Sequence, residues 1–400
     1  MAQARTEAFD AIVLGAGGAG LMAAATAGQG GARVLVLDHA EKPGKKILIS
    51  GGGRCNFTNT GTRPGCFLSE NPHFAKSALA RYTPSDFLGL IARHRIAWHE
   101  KTLGQLFCDG SAREIVAMLM AECAQGGVEI RLGASIGEIG HADGWFHVAG
   151  ARARRLVVAT GGPSIPKMGA SGVAYDIARR FGLGVVAPRP ALVPLTLGAD
   201  AADLCAIPGV ALPVVARVGG VSFAEAALIT HRGLSGPAIL QVSSYWRPGQ
   251  EIALALLPDP AGILRAARKA SPRAHLRAVL AAHLPARLAE VLANRAGALP
   301  EMGNIAERDI ARLAALIGDF RLTPTGTEGY AKAEVTAGGV DTADLDSATL
   351  EARRVPGLHV VGEAVDVTGW LGGYNFQWAW ASGVAAGRAI AAAQSAPRRP

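Results

Sequence analysis

Cysteine is scarce in this chain. Its 400 residues hold five, Cys55, Cys66, Cys108, Cys123 and Cys205, and no two form a C-x-x-C pair. That spacing argues against a secreted disulfide scaffold and a zinc module, and it suits a reducing cytoplasm. The ten histidines show no H-E-x-x-H arrangement, so no metal site is expected. A long uninterrupted apolar helix is also missing. Residues 11–28 carry no charge, but Gly15, Gly17, Gly18 and Gly20 break the run. A membrane span needs about 20 apolar residues in one helix. No basic leader with a cleavage site stands before this run, so the expectation is a cytoplasmic protein with no membrane partner.

What is present points to a large core. Half of the residues are hydrophobic, 18% are charged, and the 51 glycines follow no fixed period. Disorder and collagen are thereby excluded. The length suits two or three domains. The formal charge of +8 suggests anionic partners: nucleotides, nucleic acid or acidic metabolites.

Asp10 to Leu14 predicts a buried strand, Gly15 to Gly20 a turn, Leu21 to Gly28 a small-residue helix, and Ala32 to Leu37 a second buried strand. Together they make a βαβ unit. Gly44 to Asn59 is expected as a Gly- and Lys-rich loop, with helices at 73–94 and 111–125. Arg155 to Ala159 is another strand, ending in Thr160-Gly161-Gly162. From Pro188 the texture changes to short alternating runs, then to Ala-, Leu- and Arg-rich helical spacing at 261–320. An α/β texture returns toward the C-terminus, with a strand at 358–361 and a helix at 377–393. The pattern describes one nucleotide-binding domain, residues 1–190 plus 325–400, interrupted by a β-rich insert at 191–260 and a helical insert at 261–324.

The chemistry begins with Gly15-x-Gly17-x-x-Gly20. The first glycine permits a tight turn, the second lets backbone approach a pyrophosphate, and the third allows close helix–strand packing. Asp38 closes the next strand, where it can accept a ribose hydroxyl. The fingerprint does not separate NAD from FAD. Thr160-Gly161, Gly362 with nearby Asp366, and Gly372-Gly373-Tyr374-Asn375 before the last helix favour a flavin, because a helix start can face the charge that develops on the reduced ring. No second G-x-G-x-x-G marks a separate nicotinamide domain.

Three other features ask for a role. In Ser50-Gly51-Gly52-Gly53-Arg54-Cys55-Asn56, three glycines expose backbone N–H groups, and Lys45, Lys46 and Arg54 are expected to lower the pKa of Cys55. Cys55 could exchange a proton beside a flavin, or be a packed small thiol. His231, in Thr230-His231-Arg232-Gly233, could donate a proton or be structural. Between 261 and 295 stand seven basic residues and one acid, Glu290. That surface could track a phosphate backbone or be a solvated helix face. Gly133-x-Ser135-x-Gly137 matches a hydrolase elbow, but β-like residues continue where a helix would have to start.

Together SGGGRCNFTN, ATGG, THRGLSGPA, AGGV and GEAVDVTGWLGGYNFQWAWASG resemble the YhiN/BaiN-like family of NAD(P)/FAD-dependent oxidoreductases over nearly the whole chain. The resemblance implies an α/β fold: a Rossmann-like FAD-binding domain with an inserted β-barrel-like subdomain and a small helical subdomain. It implies non-covalent FAD, with NAD(P)H as transient reductant. The FAD contacts would fall on Gly15, Gly17, Gly18, Gly20, Asp38, Lys46, Gly52, Arg54, Cys55, Asn56, Thr160, Gly161, Gly362, Asp366, Gly373, Tyr374, Asn375 and Phe376, and the proton chemistry on Cys55 and His231. Known family activities reduce conjugated C=C bonds, in uracil of large-subunit ribosomal RNA and in unsaturated oxo-bile acids. The charge balance favours ribosomal RNA through the basic insert, with a small cyclic enone or a redox-sensing role as alternatives. Family members often show Val-Phe-Pro where this chain has Leu106-Phe107-Cys108-Asp109, a loop expected to border the substrate.

Overall fold

The computed structural model describes residues 6–395. Residues 1–5 and 396–400, both expected in the first domain, lie outside the described residues. The chain divides into two compact units, one from Met1–Arg189 with Val335–Pro400 and one from Pro190–Glu334.

The first unit is organised by a seven-stranded sheet. The strand Glu7–Leu14 lies at its centre, parallel to Val34–Leu37 on one side and to Ala151–Val158 on the other. Glu129–Arg131 extends the sheet in parallel beyond Val34–Leu37. Ala151–Val158 has two partners along its far edge. Its first residues pair with the antiparallel strand Trp145–Val148, and its last with the parallel strand Leu358–Val360. The core strands are apolar at successive positions, as buried strands of a parallel sheet are, and the Gly18–Gln29 helix packs on them. Ile12, Leu14, Leu35 and Leu37 are all fully buried. Each such side chain contributes about 1.5 to 3 kcal/mol by leaving water.

Two small-residue helices pack closely in this unit. They are Gly18–Gln29 and the 22-residue final helix Tyr374–Ser395. A Cβ at Gly383 would stand 2.5 Å from the Ala19 carbonyl oxygen, and one at Gly387 would stand 2.6 Å from Thr26 Cβ. The run of alanine and glycine in both helices therefore serves close packing rather than a membrane span. Among the described residues no helix is long and apolar enough to cross a membrane.

The stretch 44–59 is more ordered than its composition predicts. It forms a short helix Lys45–Ile49, a tight turn Ser50–Gly53 and a strand Asn56–Asn59. A five-residue helix is too short to show a 3.6-residue period. The expected helix at 73–94 is two helices, Lys76–Arg81 and Pro84–Arg93, because Pro84 starts a new helix that Thr83 caps with Asp86.

The second unit holds a seven-stranded sheet with Ala211–Val218 and Val221–Thr230 as its long hairpin. Ile252–Ala255 and Phe320–Leu322 extend one edge. The helices Pro260–Ala270, Leu276–Ala281, Ala286–Ala296 and Glu307–Gly318 fall between those two strands in the chain. The unit runs to Glu334, and within it Gly326–Thr327 pairs with Leu195–Thr196.

Candidate functional site

The glycine turns of the first unit converge at the carboxyl ends of its parallel strands. Gly15 (φ +106°) lies so close to the end of Ala151–Val158 that a Cβ there would stand 2.5 Å from the Ala159 carbonyl oxygen. A Cβ at Gly20 would strike the Gly15 carbonyl, and one at Gly18 would lie 2.7 Å from the Trp380 ring. By contrast, a Cβ at Gly17 or Gly52 would meet nothing within 4 Å. The first set of glycines lets backbone and rings close up, whereas Gly17 and Gly52 border open space.

Other turns join this end. Gly362 (φ +67°) stands against Ala19, where a Cβ would come within 2.8 Å of its methyl group. Its N–H donates to Ser382 Oγ at 3.0 Å, and its carbonyl accepts from Trp378 Nε1 at 2.9 Å. Gly161 (φ +71°) faces Glu363, and a Cβ there would stand 3.7 Å from Oε2. Gly373 (φ +96°) packs on the Thr58 carbonyl and the Asn56 side chain. Tyr374 meets Phe67 and Trp370 edge-on, and Phe376 stacks on Trp380 at 5.4 Å. Asn375 closes the turn before the final helix. Its Oδ1 accepts the Gly369 N–H at 2.8 Å, and its Nδ2 donates to the Gly369 carbonyl at 2.9 Å.

Asp38 sits at the tip of Val34–Leu37 and braces the first turn. Oδ2 accepts the Ala16 N–H at 2.6 Å and Oδ1 the Ala40 N–H at 2.8 Å. Each oxygen keeps a lone pair for another donor. Asp366 is buried and turned toward residues 69 and 70, accepting the Glu70 N–H at 2.8 Å. Burial pushes its carboxyl pKa up. Arg54 is exposed, and the Asn56 and Gln105 side-chain amides lie 3.2 Å apart.

Lys46 finds a partner that sequence inspection missed. Its ammonium donates to Glu363 Oε2 and to Ser164 Oγ, each at 2.6 Å. Glu363 Oε1 accepts Ser164 Oγ–H at 2.7 Å and the Thr336 N–H at 2.9 Å. Burial raises the Glu363 pKa, but the Lys46 charge and these donors outweigh it and hold the carboxyl below its ordinary range. The only signal in the sequence was a glutamate directly after a strand-ending glycine.

Cys55 departs from expectation. It is fully buried, with φ +51°, and burial pushes its thiol up to about 12 against the smaller effect of a Ser50 hydrogen bond. The cations adjacent in sequence do not lower it: Lys46 is engaged with Glu363, and Arg54 is exposed. Cys55 therefore holds its proton throughout the neutral range. His231 belongs to the second unit, exposed on the two-residue turn between Val221–Thr230 and Gly233–Ser235.

The basic insert is largely paired within itself or with its neighbours. Arg265 and Arg268 converge on Glu307, Arg295 on Asp203, and Arg277 lies 4.0 Å from Glu290. Arg287 donates to the Pro208 carbonyl at 3.1 Å. Among the described residues, only Lys269 and Arg273 of the seven have no such partner. The excess of charge counted between 261 and 295 shrinks because Glu307 and Asp203 lie outside that window.

The convergent turns fit an adenine dinucleotide. Open space lies beside Gly17, Asp38 retains acceptor capacity, and the Thr160 hydroxyl is buried with no partner among the described residues. A buried hydroxyl without a partner is costly, and a bound polar ligand would relieve it. No group of three or more His, Cys, Asp or Glu side chains is placed to hold a metal among the described residues.

Fold and site define a flavoprotein oxidoreductase of the Rossmann type. The model of the HI0933-like protein Rossmann domain matches residues 9–389, and the chain belongs to that family. It is 51% identical over 399 residues to the ribosomal RNA dihydrouridine synthase of Escherichia coli, covering 97% of this chain and all of that protein. It is 44% identical over 391 residues to the protein of the same name from Haemophilus influenzae, covering 95% and 98%. A 3-dehydro-bile acid delta(4,6)-reductase from Clostridium scindens is 31% identical over 410 residues, covering 95% and 98%. Among solved structures, the Mycobacterium smegmatis Sdh1 complex in the apo form shares the fold with a TM-score of 0.50 at 15% identity, over 98% of this chain and 70% of that one.

Proposed function

We propose that this chain reduces uracil in large-subunit ribosomal RNA to dihydrouridine, using FAD and drawing electrons from NADH or NADPH. The observation that carries the flavin reading is the meeting of the Gly15, Gly161 and Gly362 turns, from both ends of the chain, beside an unpartnered Thr160 hydroxyl. The substrate reading draws on the two ribosomal RNA dihydrouridine synthases, which align along nearly their full lengths.

When bound and reduced, FAD would supply a hydride equivalent to the C5–C6 double bond of the uracil ring, and a proton would complete the saturated bond. The chain's own residues do the rest. The N–H groups of the first helix start would receive the dinucleotide phosphates, and Asp38 would accept a ribose hydroxyl. Lys46 and Glu363 lock the 45–49 helix to the 362–364 turn, which fixes the two segments against each other. Cys55 is sealed in the core with its thiol pushed up to about 12, so it packs behind the Ser50–Gly53 turn and is too weak an acid to supply the proton. Cytoplasmic location follows from the substrate.

Comparing dihydrouridine in ribosomal RNA from cells with and without this protein tests the reading. Loss of one modified site on deletion is the expected result, and unchanged content overturns it. The bile acid relative favours one alternative, a small cyclic enone. Purified flavoprotein reduced by NAD(P)H and reoxidised by enones but not by RNA would select it. A protein that holds FAD and passes electrons to neither would be a redox sensor.

A further inference from the structure

Three large apolar side chains stand exposed among the described residues: Ile49 at 47%, Trp98 at 41% and Leu103 at 62%. All three belong to the first unit, close in sequence to the Gly51–Gly53 turn or on one hairpin beside it. That hairpin pairs Trp98–Glu100 with Gln105–Cys108, and Gln105–Cys108 pairs in turn with Asn56–Asn59. Every residue from 97 to 103 is exposed. Edge strands usually guard themselves with charge, as His99 and Glu100 do here, so the exposed Trp98 on this strand and Leu103 at its turn call for a function.

Leu103, at the hairpin tip, is the most exposed of the three, and its backbone is left-handed at φ +59°. A glycine would adopt that conformation freely, whereas a side chain there is strained. The tip is nonetheless held firmly. The Leu103 carbonyl accepts from Asn59 Nδ2 at 3.0 Å, and the same amide donates to the Gly372 carbonyl at 2.8 Å. Gly104 follows at φ +74°, packed so tightly that a Cβ would strike Thr60 Oγ1. The tip is thus tied to the Gly372–Gly373 turn of the candidate site. Strain combined with exposure, fixed beside a site, points to use by a ligand.

We propose that Leu103 is a wedge that fills the gap left in the RNA stack when the target uracil is drawn into the site. The inference rests on the ribosomal RNA reading above. A base in a stack is covered on both faces, so chemistry on its ring requires it to leave. Apolar side chains placed between base steps hold such a gap open. Leucine suits this because it offers bulk and no hydrogen bond. Trp98 on the same hairpin offers a face for a flanking base, and Lys101 offers a charge for phosphate.

The test compares wild type, Leu103→Gly and Leu103→Phe as FAD-loaded proteins with NAD(P)H. Dihydrouridine formation is measured on folded large-subunit ribosomal RNA lacking the modification, and on short single-stranded fragments of it. Leu103→Gly should lose about tenfold in kcat/KM on folded RNA and less than about twofold on fragments, with Leu103→Phe close to wild type on both. Its flavin content should be unchanged and its Tm equal or higher, since glycine relieves the strain. Equal rates for Leu103→Gly and wild type on folded RNA overturn the wedge alone. Equal losses on folded RNA and fragments also overturn it, because they indicate a merely structural role. Wild type that reduces neither RNA overturns the ribosomal RNA reading and the wedge with it.

Discussion

Two ion pairs, one in each unit, show how differently the same contact works. Lys46–Glu363 and Arg295–Asp203 both close at 2.6 Å. Glu363 is 19% exposed and also accepts from Ser164 and Thr336, whereas Asp203 is 42% exposed. The first pair joins segments 317 positions apart at the candidate site, and the second lies at the surface of the insert. Contact distance does not separate them. Burial and the number of further donors do, because water screens an exposed pair and competes for its partners.

The comparison can be broken at several strengths. Gly20→Val should have the largest effect: its Cβ collides with the Gly15 carbonyl, a backbone atom that cannot step aside. The expected outcome is loss of yellow colour on purification and a destabilisation of about 4 kcal/mol or more. Lys46→Met comes next, leaving Glu363 as a buried charge without its cation. Denaturant unfolding should show a loss of about 3 to 5 kcal/mol, and Glu363→Gln on top of it should recover part of that loss.

The pH dependence of that pair has a definite sign. The folded Glu363 pKa is depressed, so its stabilisation is present above the ordinary glutamate pKa of 4.5 and is lost as pH falls through the folded value. Lys46→Met removes the depressing charge, so its acid unfolding should begin at a higher pH than that of wild type. An unchanged acid limb would mean that Lys46 does not govern the carboxyl.

Smaller effects test the chemistry and the insert. Cys55→Ala should keep FAD bound and change the rate of RNA reduction by less than about threefold, whereas a loss of about a hundredfold would return Cys55 to the role of proton donor. In wild type, with the thiol held up near 12, Cys55 should resist iodoacetamide at pH 8, as mass spectrometry of the labelled peptide would show. Asp203→Asn should change stability by less than about 1 kcal/mol, read as a small shift in Tm. A loss as large as that of Lys46→Met would erase the distinction between the two pairs.

Much of the frame was legible because it rests on local rules. The strand, glycine turn, helix and second strand with Asp38 follow from patterning within thirty-odd positions. The Lys46–Glu363 pair was not legible, since nothing local links residues so distant. Cys55 misled for a related reason: neighbours in sequence suggested positive charge, while folding buried the thiol and turned the cations elsewhere. The insert's charge was overcounted because Glu307 and Asp203 stand outside the stretch that was counted. The left-handed, exposed backbone of Leu103 leaves no mark in composition or period.

The interlock of the first and last helices has a consequence for biosynthesis. The Gly18–Gln29 helix leaves the ribosome early and finds the Ala112–Gln125 helix and its sheet soon after, but its other neighbour, Tyr374–Ser395, is made last. That one face of the helix must therefore wait through translation of the entire insert for its cover. A stop codon ahead of Tyr374 would leave the Gly18–Gln29 helix with its Ala19 and Thr26 face uncovered.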